Sequence, residues 1–165
     1  MHTIPINTEE NSLEILGGKG RSLARMTRSG FRVPDGFIVT ADAYRDFVNT
    51  CGIQEEIIEL AKPDLKNGYP NFEECSKKIQ SIIESNQTPD STRNEIIEAY
   101  EGLSGTALRM AVRSSANAED LPEFSFAGQQ ETFLNISTSA AIIESVHKCW
   151  ASLWTPQAIS YRHQN

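Results

Sequence analysis

The sequence predicts an α+β fold: a small sheet with flanking helices, plus a helical subdomain at about residues 52–103. Three observations point that way. Short apolar runs bounded by turn-forming residues stand at residues 36–40, 108–112 and 131–136, where strands are expected. Between Ile53 and Leu103 a helical period dominates. One stripe is Phe72, Cys75, Ile79, Ile82 and Ile83, and another is Ile96, Ile97, Tyr100 and Leu103. A further helical run, Ile142, Ile143, Val146, Trp150, Leu153 and Trp154, follows the last apolar segment.

The elements follow in chain order. Gly17-Gly18-Lys19-Gly20 precedes a helical pattern with Leu23, Ala24 and Met26 on one side, and Gly30 is its expected stop. A Pro-Asp-Gly turn leads into the strand Gly36–Thr40, and Thr40 then caps a helix that packs Tyr44, Phe47 and Val48. The acids of the helical subdomain fall between its apolar stripes, as a solvated surface requires. The runs Leu108–Val112 and Glu131–Ile136 form two strands around a loop, so that strands and loop together occupy about residues 107–136. Ser139 is the expected cap of the next helix. Thr155-Pro156 supplies the cap and first turn of the last one.

With 165 residues, 39% of them hydrophobic and 22% charged, one domain with a sizeable core is within reach. No run approaches a membrane span, and the first residues lack a basic-then-apolar signal pattern. Three scattered cysteines, Cys51, Cys75 and Cys149, fit reduced thiols in a cytoplasm better than a disulfide frame or a zinc site. The formal charge of −7 disfavours a nucleic-acid partner. It is unevenly spread. Lys19, Arg21, Arg25, Arg28 and Arg32 stand between Ile15 and Pro34 without one acid, whereas residues 52–101 carry eleven acids and five bases. The basic cluster reads either as a solvated helix face or as an attractor for a polyanion such as a nucleoside triphosphate.

The richest segment runs from Met110 to Phe133. Arg113 stands at a strand end, followed by Ser114, Ser115 and a small polar loop containing Gly128. A guanidinium fork facing a flexible loop suits phosphate oxygens, and backbone amides can close over them. The plainer alternative pairs Arg113 with Glu119 or Asp120 to hold the loop. Lys19, flanked by glycines at a helix start, also suits phosphate, or is a surface lysine on a turn. It is not a Walker A motif, whose glycine spacing and following Ser/Thr are missing. Gly128 and Thr132 offer close backbone approach and a hydroxyl, or form a tight turn into a strand with Phe133 in the core. His2, His147 and His163 lack partners at metal or triad spacing and read as structural or exposed, so no catalytic residue and no metal ligand is assigned. Trp150 and Trp154 read as core.

Ala111-Val-Arg-Ser-Ser-Ala-Asn-Ala-Glu-Asp-Leu-Pro122 with Ser125-Phe-Ala-Gly-Gln-Gln-Glu-Thr-Phe-Leu-Asn-Ile136 closely resembles the ATP-binding domain shared by phosphoenolpyruvate synthases, pyruvate phosphate dikinases and rifampicin phosphotransferases. Two flanking stretches are similar to the same domain in the same order: Gly17–Met26 with Val33–Phe37, and Lys148–Trp154 with Ala158–Arg162. The resemblance covers the chain from about Gly17 onward, though residues 52–103 carry no family motif.

The resemblance implies the N-terminal portion of an ATP-grasp-like nucleotide-binding domain. It implies that Lys19 and Arg113 contact the ATP phosphates. It also implies that the loop closes on them through Gly128, Thr132 and Phe133. Ser114 and Ser115 match the motif without an assigned contact. The adenine pocket and the Mg²⁺ ligands are expected outside this chain, as are the phosphohistidine and acceptor domains. The chain therefore reads as an incomplete ATP-binding domain, inactive alone, of an enzyme that passes a phosphoryl group from ATP through a phosphohistidine to pyruvate or a related acceptor. A stand-alone regulatory nucleotide-binding module and a non-binding structural fragment are the alternatives.

Overall fold

The structure, a computed structural model, describes residues 1–62, 65–66, 69–103, 109–115 and 131–164. Its architecture is α+β, with seven helices and three antiparallel strand pairs among the described residues. Where the sequence predicts one small sheet, the strands form separate two-stranded pairs.

The first pair joins β1 (Thr3–Pro5) to β2 (Phe37–Val39), with Ile4 opposite Ile38. Between them lies α1 (Leu13–Arg28). This helix starts four residues before the Gly-Gly-Lys-Gly stretch, which is inside it rather than ahead of it. Gly17, at φ 66 and ψ 174, breaks the helix there and it resumes beyond. Its far end is a Schellman stop: Gly30, at φ 80, donates to the Thr27 carbonyl, and Phe31 donates to that of Met26. Leu16, Ala24 and Ile38 form a small buried cluster that seats α1 on β2, while Met26 is exposed.

The main core is larger and helical. It draws on α2 (Ala41–Thr50), α3 (Gln54–Leu60), α4 (Phe72–Ser85), α5 (Asp90–Glu101), α6 (Ser139–Ser152) and α7 (Pro156–Gln164). Phe47, Ile57, Ile79, Ile83, Ile96, Val146, Trp150 and Ile159 are all buried in one continuous cluster. Phe47 stacks on Trp150 at 5.0 Å between ring centroids. The predicted α4 stripe thus buries its apolar face here, while of the α5 stripe Ile96 and Tyr100 pack on this core and Leu103 lies past the helix end. A short hairpin, β3 (Leu65–Lys66) with β4 (Tyr69–Pro70), interrupts the helical region.

Two predicted caps differ in detail. Thr40 precedes α2 as expected, yet its hydroxyl donates to the Met1 carbonyl at 3.1 Å instead of capping the helix, tying the N-terminus to β2. For α6 the cap is Thr138, one residue before the expected Ser139. Its hydroxyl accepts the Ala141 amide at 3.2 Å. Thr155 caps α7 as predicted, accepting the Ala158 amide at 3.2 Å.

The third strand pair carries the signature segment. β5 (Met110–Arg113) runs antiparallel to β6 (Thr132–Ile136). The strand thus starts two residues after Leu108, and residues 104–108 lie outside the described set. Val112 pairs with Phe133 and Met110 with Ile136, so Ala111 faces two residues, Leu134 and Asn135. This is a β-bulge, with Asn135 at φ 60. Asn tolerates that left-handed conformation better than branched residues do.

Candidate functional site

Alternation along β5 and β6 sorts the signature residues onto two faces. Val112 and Phe133, directly opposite each other, are half-buried; Val112 packs against the main core and Phe133 lies beside α6. The Lys148 ammonium stands 5.8 Å from the centre of the Phe133 ring. Arg113 and Thr132, the next pair, are both exposed on the opposite face. Opposed residues of an antiparallel pair project to the same side. The guanidinium and the hydroxyl therefore leave the sheet together. Phe133 projects the other way, so only its backbone is shared with that surface. Arg113 makes no ion pair or hydrogen bond with any other described residue. Gly128, Glu119 and Asp120 lie outside the described residues.

The strand end is held from both sides. The Ser114 amide donates to the Glu131 carbonyl at 3.2 Å, extending the ladder one step past Arg113. On the other side Ser115 meets the glycine break of α1. Its hydroxyl donates to the Leu16 carbonyl at 3.1 Å and accepts the Gly20 amide at 3.2 Å. The contact is close enough that a Cβ at Gly17 would lie 2.3 Å from Ser115 Oγ and 2.7 Å from its carbonyl oxygen. Gly17 is thus required twice, for its positive φ and for the absence of a side chain.

Lys19 sits in this turn, half-buried, and engages a partner in the structure. Its charge and that of Glu131 both reach the Cys149 thiol on α6. Burial pushes that thiol up to about 12. The Glu131 carboxylate adds to the rise and the Lys19 ammonium opposes it. The Gly-rich turn, the end of β5, the start of β6 and one face of α6 therefore share a corner. Sequence reasoning assigned contacts at this corner to Lys19, Arg113 and Thr132, but none to the two serines. Ser115 is the hinge pin between the two motifs. Ser114 is 4% exposed, and its hydroxyl has no hydrogen-bond partner among the described residues. The signal was in the sequence, as two hydroxyls beside an Arg, but not their partners.

Each histidine contacts a neighbouring side chain. His2 donates its backbone amide to Glu95 at 2.7 Å and sets its ring 3.0 Å from the same carboxylate. His147 packs beside both Phe47 and Trp150, 2.6 Å from the Thr88 hydroxyl, and burial lowers its pKa. His163 meets the edge of Phe72. No helix among the described residues is long and apolar enough to cross a membrane.

Fold and corner together define an α+β chain in which a broken, glycine-rich helix start is clasped to the end of an Arg-Ser-Ser strand. Comparison with known sequences carries this further. The chain belongs to the family of pyruvate phosphate dikinase AMP/ATP-binding domains, which it matches over residues 13–165. It is 46% identical over 156 residues to a probable phosphoenolpyruvate synthase of Methanocaldococcus jannaschii, covering 92% of this chain and 13% of the relative. It is 44% identical over 156 residues to the phosphoenolpyruvate synthase of Aeropyrum pernix, covering 91% of the chain and 19% of the relative. It is 41% identical over 162 residues to the rifampicin phosphotransferase of Streptomyces sviceus, covering 95% and 18%. The chain thus spans less than a quarter of the length of these relatives.

Proposed function

We propose that this chain supplies the phosphate-contacting wall of the ATP site in a dikinase-type phosphotransferase. The observation that carries the reading is the junction of the two motifs. The turn bearing Lys19 is bonded to the strand end bearing Arg113, with Thr132 beside it. Phosphate binding needs several donors converging, and a flexible ammonium, a planar guanidinium and a hydroxyl make a complementary set. Family membership and the names of the relatives support the same reading.

In this reading Arg113 grips phosphate oxygens through its fork and Lys19 neutralises charge beside it. Thr132 and the Gly128 backbone close over the phosphates, and Phe133 contributes through its main chain. The domain is of ATP-grasp type. In this reading, as the family resemblance implies, the Mg²⁺ ligands come from another part of the longer enzyme, where carboxylates and related oxygen donors suit the metal. Its role when bound is to neutralise phosphate charge. The β-phosphoryl group passes to a histidine on another domain of a longer enzyme, leaving AMP; water takes the γ-phosphoryl group as inorganic phosphate, and the phosphohistidine passes its phosphoryl group to pyruvate or a related acceptor. This chain's part is positioning and charge stabilisation.

The test has two arms. Calorimetric titration of the isolated chain with MgATP, alongside an AMP-release assay, is expected to show weak or no binding and no turnover. Without the metal and the adenine pocket, two cations face several phosphate charges in an open, screened site. In the enzyme that carries this segment, Lys19→Ala is expected to slow AMP release. Unchanged ATP kinetics in that variant overturn the reading. Micromolar binding by the isolated chain points instead to a complete, stand-alone nucleotide module.

A further inference from the structure

We propose that Ser115 is a positioning residue: its hydroxyl replaces a missing helical hydrogen bond and thereby sets where Lys19 stands relative to Arg113. The two atoms it bridges are the Leu16 carbonyl and the Gly20 amide. In a regular helix these would bond each other directly, N–H of residue i to C=O of residue i−4. Gly17, at φ 66 and ψ 174, breaks the helix between them. A hydroxyl can accept and donate at once, so the Ser115 oxygen spans the gap as an inserted link. Both orphaned backbone groups are satisfied by a side chain 95 or more positions away in the sequence.

The geometry makes this a coupling device as well as a cap. Lys19 lies inside the bridged stretch, between Leu16 and Gly20. Arg113 lies two residues before the bridging serine. Ser115 is in turn fixed by its neighbour, whose amide bonds Glu131. One oxygen therefore joins the backbone of one cation to the backbone of the other. The closeness of Gly17 to Ser115 leaves the turn no room to shift toward the strand. Donors held at a set spacing bind phosphate without first losing conformational freedom, which is the advantage of a preorganised site.

The structural half of the inference rests on this geometry alone, and the functional half rests on the nucleotide reading. Two measurements separate them. The first is amide hydrogen exchange at Gly20 in the isolated chain. Ser115→Ala is expected to speed that exchange about 10-fold, one lost hydrogen bond's worth, while Ser115→Thr, which keeps the oxygen, preserves protection. Thermal unfolding by circular dichroism checks that both variants remain folded. The second measurement is steady-state kinetics of the full enzyme. Ser115→Ala is expected to raise the KM for ATP about 10-fold, with Ser115→Thr restoring it. Adding Lys19→Ala to Ser115→Ala should then cost much less than Lys19→Ala alone, because coupled residues are non-additive. Unchanged Gly20 exchange in a folded Ser115→Ala variant overturns the clasp. Faster exchange with unchanged kinetics, in an enzyme that Lys19→Ala impairs, overturns the positioning role. Faster exchange in an enzyme indifferent to Lys19→Ala overturns the nucleotide reading, and with it the functional half.

Discussion

The helical core and the Gly17–Ser115 corner are built on opposite principles. The core is a continuous cluster of buried Phe, Ile, Val and Trp side chains from six helices. At the corner, α1 sits on three buried apolar residues, Leu16, Ala24 and Ile38, and one bridging hydroxyl joins it to the end of β5. It also holds irregular features: a broken helix, and on Ser114 a buried hydroxyl with no hydrogen-bond partner among the described residues. Such features lower stability and are tolerated where they shape a surface for a ligand. The difference teaches that in this chain the residues that hold the fold and those that face the candidate ligand are largely separate sets.

The largest predicted effect tests that separation from the core side. Phe47→Ala removes a fully buried ring stacked on Trp150. It should cost about 3–5 kcal/mol in urea unfolding followed by circular dichroism. A loss below 1 kcal/mol would show that the core is not the main source of stability. From the corner side, Arg113→Lys in the full enzyme keeps the charge and loses the fork. About 2–4 kcal/mol of transition-state stabilisation should disappear from kcat/KM for ATP. The folding free energy should hardly change, since Arg113 is exposed and bonds no other described residue. Intact turnover would mean that Arg113 only braces its loop.

Gly17→Ala should blur the division, because it strains the backbone and forces a Cβ into Ser115. A stability loss of about 1–3 kcal/mol is expected, with faster exchange confined to the Gly17–Gly20 turn rather than spread through α4 and α6. At the other end of the scale, Thr138→Ala should cost about 1 kcal/mol as a lost helix cap, and Ser139→Ala much less. Equal costs would return the cap to Ser139.

A pH dependence sharpens the same contrast. Burial holds the His147 pKa below the ordinary histidine value, with the Glu84 carboxylate opposing. The unfolded chain then binds the proton more readily than the folded one. Stability is fully present above the ordinary value, about 6.5, and is lost as the pH falls through the depressed folded value. Urea midpoints at several pH values between 8 and 5 should fall on acidification, and His147→Gln should flatten the part of the curve that His147 supplies. An unchanged slope in that variant would assign the pH response to other groups.

Much of this protein was legible in the chain itself. The stripes of α4 and α5, the Gly30 stop, the Thr155 cap and the family signature from Ala111 to Ile136 all depend on spacings of a few residues, which local sterics and periodicity determine. The reading of Lys19, Arg113 and Thr132 as phosphate-suited groups rests on side-chain chemistry and on the family resemblance, and the kinetic variants above are its test. What only the tertiary structure decided is where hydroxyls and faces go. Thr40 sits at a helix start but spends its hydroxyl on Met1. Phe133 and Thr132 are adjacent in sequence yet project to opposite sides of β6. Ser115 finds its partners in a helix broken 98 positions earlier, at Gly17. A serine hydroxyl has no preference for any particular distant backbone group. Its partner is set by how the helices and strands pack, and no local pattern encodes that.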